Sequence, residues 1–288
     1  MIIKSKGYKT FRVINVFIML LVIVITLFPV LNILAKSFSD LKNLTQNTVS
    51  IIPKGFNVDT YKTIMGDMDF WNDYKNTVIY TVLGTIISLV MTTMFAYALS
   101  VPRLMGKKFL TAFVVFTMFF NGGIIPNYMI VNGLHMRNTV WAIVVPGAIS
   151  TFNLIVMRTF FEGIPKELEE AASIDGMNTY GILMRIIIPL SKPIIATMVL
   201  FYAVGMWNSW FSAFLYLDHT ELLPVTIYLR NLIAGAMSAT GADADSLGTV
   251  SVNIKYVTIV LTSVPILCVY PFLQKYFVQG VMIGSVKG

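Results

Sequence analysis

One cysteine, Cys268, and two histidines are all that this 288-residue chain offers to metal or redox chemistry. A single thiol builds neither a disulfide framework nor a cysteine cluster. His135 and His219 have no spaced partner and read as surface residues. The chain has no P-loop, nucleophile elbow or zinc-binding HExxH, so it shows no catalytic centre and does not itself hydrolyse ATP. It also lacks repeats and low-complexity tracts. Charge is scarce: 12% of residues are charged and 56% are hydrophobic, whereas soluble globules carry roughly 25% charged residues. With a mean hydropathy of +0.76, a soluble globule is excluded.

Six stretches contain no Asp, Glu, Lys, Arg or His: about 13–35, 76–100, 109–134, 138–157, 193–217 and 256–274. Each is near or above the roughly 20 residues with which a helix crosses about 30 Å of hydrocarbon. Runs such as VFIMLLVIVITLFPVL lack the alternation of a membrane barrel, which leaves helices. The expectation is an all-α polytopic membrane protein, one domain over residues 1–288 with six transmembrane helices. Lys4, Lys6, Lys9 and Arg12 precede the first run as in a secretory signal. Its apolar core exceeds the roughly 7–15 residues of such a signal, however, and no A-x-A site follows, so it reads as a retained span.

The absence of titratable groups from all six runs excludes a proton relay through the spans. A sodium-coupled carrier that binds its ion through backbone carbonyls is left open, though the inverted repeats expected of one are not found. A polytopic intramembrane enzyme would need a buried Ser/His pair, paired Asp or a metal cluster, and none is present.

Basic residues orient the chain, because cytoplasmic loops carry their excess. With both termini in the cytoplasm, 13 of the 21 Lys and Arg lie on that side, and nine of the 14 acids lie on the other. The net charge of +7 then reflects topology and lipid contact, which argues against nucleic acid as a partner.

What is present is a charged cytoplasmic loop at 158–192, whose residues 164–189 read IPKELEEAASIDGMNTYGILMRIIIP. At bilayer depth each Lys, Arg or Asp costs roughly 2.5–3.5 kcal/mol, so the segment lies in water. Pro165 suits a first helical turn, and Glu167, Glu169 and Glu170 suit the positive end of its dipole. Gly176 supplies a left-handed stop, and Asn178 caps a second helix that Pro189 ends near Ile188. Asp175, at the negative end of the first helix, runs against the dipole preference, as functional surfaces often do.

Glu170, Ala171 and Ala172, then Gly176, Ile186 and Pro189, resemble the cytoplasmic E-A-A motif of permease subunits of ATP-binding-cassette (ABC) importers. The usual leucine before the proline is Ile188 here. IIPKGFNVDTY at 51–61, the Asn-Thr pair at Asn76 and the C-terminal GVMIGSVKG resemble the carbohydrate-uptake branch and its maltose-type permeases, so the likeness covers nearly the whole chain. The resemblance implies a non-catalytic sugar or oligosaccharide permease in the cytoplasmic (inner) membrane, multi-pass and without a cofactor of its own. Its implied partners are a second homologous permease, two ATPase subunits that bind ATP and Mg, an extracytoplasmic solute-binding protein and lipid. It further implies ATPase coupling through Glu169, Glu170, Ala171, Ala172, Asp175 and Gly176, with Gly284, Lys287 and Gly288 of the tail reaching between the ATPases. The alternative for the loop is an amphipathic helix on the membrane surface, which would be expected to carry a Lys-rich face. For the tail it is a frayed terminus. Within the importer class the rival is a permease for peptides or phosphonates.

Solute-pathway candidates follow from depth and chemistry. Asn121 lies about 18 Å into the third run at 1.5 Å per residue and precedes Gly122, Gly123 and Pro126, an interruption of the kind that lines transporter sites. In the fifth run Asn208 and Ser212 are spaced to share a helix face, beside Trp207, Trp210, Phe211 and Phe214. Asn153, beyond Pro146, is a third candidate. Tryptophans near an interface are also common as belt anchors, and intramembrane Asn as a helix–helix bond.

Overall fold

A computed structural model of the chain describes residues 6–238 and 253–268; these are helical, with no β-strand among them. In chain order the helices are α1 (Lys6–Ser37), α2 (Leu41–Thr45), α3 (Asp59–Gly66), α4 (Met68–Ser100), α5 (Lys107–Phe119), α6 (Ile124–Gly133), α7 (Trp141–Val144) and α8 (Thr151–Glu162). Then come α9 (Lys166–Ile174), α10 (Thr179–Ile182), a π-helical turn (Leu183–Ile187), α11 (Ile188–Leu190), α12 (Lys192–Trp207), α13 (Phe211–Tyr216) and α14 (Val225–Ser238). The last is α15 (Asn253–Cys268). Two compact units emerge, one from residues 6–68 with 229–238 and 253–264, the other from 69–228 with 265–268.

In the first unit, α1 runs 32 residues, about 48 Å. From Tyr8 to Val30 its apolar side chains are exposed around the whole circumference, as befits a helix facing lipid. The chain beyond α1 folds into a small polar-capped knot. Phe38 stacks on Phe56 at 5.7 Å and on Tyr61 at 5.0 Å. Asp40 caps α2 by accepting the Asn43 N–H at 2.9 Å. Gly55 turns the chain at φ +64°, where a Cβ would collide with the Asp40 carboxylate. Burial pushes the Tyr61 phenol above its ordinary value, and its bond to Ser37 Oγ at 2.8 Å only partly offsets this.

In the second unit, α4 begins at Met68, eight residues before the expected start of the second span at Asn76. The added turns are polar and are held by the 221–225 segment. Asn76 Nδ2 donates to the carbonyls of Glu221 (2.7 Å) and Leu223 (3.1 Å), Asn72 to Glu221 (2.9 Å), and Tyr80 to Leu222 (2.7 Å). The core joins α4, α8, the 182–187 turn and α12 through Ala96, Leu99, Leu154, Met157, Ile187 and Met198. At Gly84 a Cβ would meet Met206 Sδ at 2.8 Å, so α4 and α12 approach as closely as small residues allow.

Three expected spans are not continuous helices. The 109–134 run divides into α5 and α6, bent 116° from each other. Gly123 sits at φ +91°, and Asn121 Oδ1 accepts its N–H at 2.9 Å, closing a turn that no helix continues through. The 138–157 run breaks between α7 and α8, around Pro146 and Gly147. The 193–217 run breaks between Trp207 and Phe211, where both the backbone N–H and the Nδ2 of Asn208 bond to the Val204 carbonyl. Asn208 and Ser212 therefore do not share a helix face. Among the described residues, Gly7–Ser37 and Met68–Ser100 can each cross a membrane by length and composition, with up to four crossings if each of two bent pairs counts as one. The end of the sixth expected run, and Gly284, Lys287 and Gly288, lie outside the described residues.

Candidate functional site

The E-A-A segment forms a helix, a tight turn and a second helix. Pro165 stands at the N-cap of α9, one position before the expected first turn. Gly176 takes φ +83°. The Met177 N–H bonds to the Ala172 carbonyl at 3.0 Å and the Gly176 N–H to Ser173 at 3.1 Å, the paired bonds of a Schellman stop. Asn178 Oδ1 then accepts the Gly181 N–H at 2.8 Å and caps α10.

The two faces of α9 differ. Ala172 is 4% exposed and packs in the cluster with Tyr97, Phe161, Ile182 and Leu183. The close approach it permits is to its own chain. Glu169 is half-buried on the same side, where burial raises its carboxyl above the ordinary value against the pull of Arg103 and Lys166. Glu167, Glu170, Ala171 and Ile174 share the opposite, exposed side, with Asp175 and Gly176 exposed beyond them. Ile174 is 86% exposed. The sequence reading missed it, although its spacing of three and four from Ala171 and Glu170 marks it as their neighbour.

The second helix does not stop at Ile188 as expected. It passes through Pro189 to Leu190 and turns by 85° into α12. The π-helical turn explains why: the Ile188 N–H reaches back five residues to Leu183, and this wider ladder relieves the carbonyl that a proline ring would strike.

On the other side of α8, a cavity of about 900 Å³ is lined by Pro146, Gly147, Ser150, Asn153, Tyr202 and Ser212, among others. Of the six pathway candidates it brings together Asn153 and Ser212. Trp207 is 8% exposed and packs edge-on against Tyr74 at 5.7 Å. Trp210 packs with Phe211 and Phe214, Asn208 is engaged with its own helix, and Asn121 closes the α5–α6 turn. Sequence reasoning missed Ser150 and Tyr202. The Tyr202 hydroxyl bonds to Thr92 Oγ1 at 2.6 Å and accepts the Ser150 N–H at 3.2 Å, tying α12 to α4 and to the start of α8. A lone tyrosine within the apolar α12 run was the available signal. Among the described residues no cluster of His, Cys, Asp or Glu is arranged to hold a metal ion.

No family model matches the chain. It is 41% identical over 286 residues to Protein LplC of Bacillus subtilis (strain 168), covering 99% of this chain and 97% of that one. It is 38% identical over 274 residues to the polygalacturonan/rhamnogalacturonan transport system permease protein YtcP of the same organism, covering 94% and 96%. Among solved structures, a bacterial ABC transporter involved in the import of the acidic polysaccharide alginate contains a chain 33% identical to this one. The TM-score is 0.86, and the match covers 96% of this chain and 100% of that one. With such identity over almost its full length, this membrane protein belongs to the permease family of carbohydrate-uptake ABC transporters.

Proposed function

We propose that the chain is one membrane-spanning half of an ATP-driven importer whose solute is an oligosaccharide bearing uronic acid units. The solute reading is supported by two relatives, one named for polygalacturonan and rhamnogalacturonan transport and one for import of acidic alginate. The observation that carries the coupling role is the exposed edge of α9, with Glu167, Glu170, Ala171 and Ile174 leading to Asp175 and the left-handed Gly176. Acidic groups around one apolar anchor suit a basic cleft on an ATPase subunit.

In this reading the chain crosses the cytoplasmic membrane six times with both termini in the cytoplasm. A second homologous permease stands beside it, two ATPase subunits hold ATP and Mg below, and an extracytoplasmic binding protein delivers the solute. Closure of the ATPase pair pushes on α9. The Schellman turn and the 182–187 core pass that motion to α8 and α12, which wall the cavity. Lys287 and Gly288 of the tail add contacts to the ATPases.

The test is co-purification of the tagged subunit with its neighbours, followed by ATPase assay with the binding protein and a panel of oligosaccharides. Stimulation by an oligogalacturonide supports both the importer role and the solute class. Purification of the subunit with no ATPase attached would remove the coupling assignment.

A further inference from the structure

We propose that the N-terminus of α8, together with the Asn153 amide, is a binding site for the carboxylate of a uronic acid unit; this rests on the importer reading above. An acidic solute poses a problem, because no Lys, Arg or His lines the cavity among the described residues. The broken fourth run supplies an answer. Pro146 and Gly147 interrupt it so that α8 starts at Thr151, inside the run, with its cap Ser150 and its next residues Phe152 and Asn153 at the cavity wall. A helix N-terminus carries the equivalent of roughly half a positive charge together with unbonded N–H groups.

Those groups are accounted for one by one. The Ser150 N–H is taken by Tyr202, and the Asn153 N–H makes a long 3.4 Å bond to Ser150 Oγ. The N–H groups of Thr151 and Phe152 have no partner among the described residues. The independent observation is Asn153 itself. It is 5% exposed, its small exposure lies on the cavity, and its side-chain amide makes no hydrogen bond among the described residues. Neither amide atom is sealed from open space, so the amide is free to bond a ligand in the cavity. A carboxylate accepts up to four hydrogen bonds, so one oxygen can face the free N–H groups and the other Asn153 Nδ2. The cavity's volume of about 900 Å³ falls in the range of sites that hold small organic ligands. A helix end also suits transport, since it attracts the anion without the tight fixed pairing of a buried guanidinium.

The test is uptake of tri-galacturonate by proteoliposomes carrying the full importer, with binding protein and partner subunits identical in every arm. Asn153→Asp places a negative charge at the site and should lower uptake about tenfold or more. Asn153→Leu, similar in size and uncharged, should lose less. Thr151→Pro removes one free N–H while keeping the helix, because proline suits the first helical position and Ser150 already has the extended backbone that precedes a proline. It should cut uptake severalfold, with co-purification of the subunits checking that the complex is intact. Uptake within twofold of wild type in Asn153→Asp and Thr151→Pro would overturn the site, as would equal losses in Asn153→Asp and Asn153→Leu. If the wild-type complex transports a neutral oligosaccharide but no tri-galacturonate, the site and the uronate reading both fall and the permease assignment stands.

Discussion

Lys107 Nζ lies 2.9 Å from Glu162 Oε1, joining the first residue of α5 to the last residue of α8. Arg158 donates to the same oxygen from Nε at 3.1 Å and Nη2 at 3.0 Å, and its Nη1 reaches Thr111 Oγ1 at 3.2 Å. Lys107 also bonds to the Ser100 carbonyl at the end of α4, at 3.1 Å. The ends of α4 and α8 and the start of α5 thus meet around Lys107 and Glu162, four residues before α9.

Burial pushes the Glu162 carboxyl up, but the hydrogen bonds and charges of Lys107 and Arg158 outweigh it and hold it below the ordinary 4.5. The folded state therefore binds fewer protons than the unfolded state across that window. The stabilisation is full above the ordinary value and is lost as the pH falls through the lowered one. Glu162→Gln should remove this acid limb from the pH profile of thermal unfolding. Because the cluster is partly exposed, its cost at neutral pH should be about 1 kcal/mol or less.

Gly176 allows a second prediction. Its φ of +83° is one that proline cannot adopt and asparagine tolerates better than most residues. Gly176→Pro should abolish transport and ATPase association, while Gly176→Asn should retain much of both. Equal activity in the two variants, measured by uptake and co-purification, would mean that the Schellman turn is not needed.

Ala171 and Ala172 are adjacent in the motif and opposite in the fold, so they should fail differently. Ala172→Leu overpacks a closed cluster and should cost about 1–3 kcal/mol of stability, read as a lower unfolding temperature. Ala171→Leu and Glu170→Lys alter only the exposed face. They should leave that temperature unchanged while weakening ATPase association and uptake.

The contrast shows how far the sequence could be read. The apolar runs, the Gly176 stop and the Asn178 cap were legible because each is set by a few neighbouring residues. The interruption at Gly122 and Gly123 and the bend at Pro146 were signalled by those residues, but the break at 208–210 was not, since an apolar run without glycine or proline there looks the same whether or not its backbone turns. Pro189 misled for a related reason: the π-helical turn that accommodates it needs the packing of Leu183 and Ile187, both nearly fully buried. Nor do nine residues of helix reveal which face meets a core, so Ala171 and Ala172 looked equivalent. In the cavity, Ser150 and Tyr202 became visible only when α8 and α12 were brought together.

Asn76 supports the last prediction. It is 9% exposed, and its amide donates to two carbonyls, those of Glu221 and Leu223. Asn76→Leu leaves the Leu223 carbonyl without this donor and the Glu221 carbonyl with Asn72 alone, and should cost about 1–3 kcal/mol. Asn76→Asp keeps the shape but turns a carboxylate oxygen toward two carbonyl oxygens, so at neutral pH it should be the more damaging change. Protonation would give the aspartate a donor again. The Asp variant should therefore recover part of its unfolding temperature, relative to the Leu variant, as the pH is lowered through its carboxyl range. If the Asp variant is no less stable than the Leu variant at neutral pH, the bonds that hold the 221–223 segment to α4 contribute little, and close packing of Tyr80 and Ile227 would have to hold it instead.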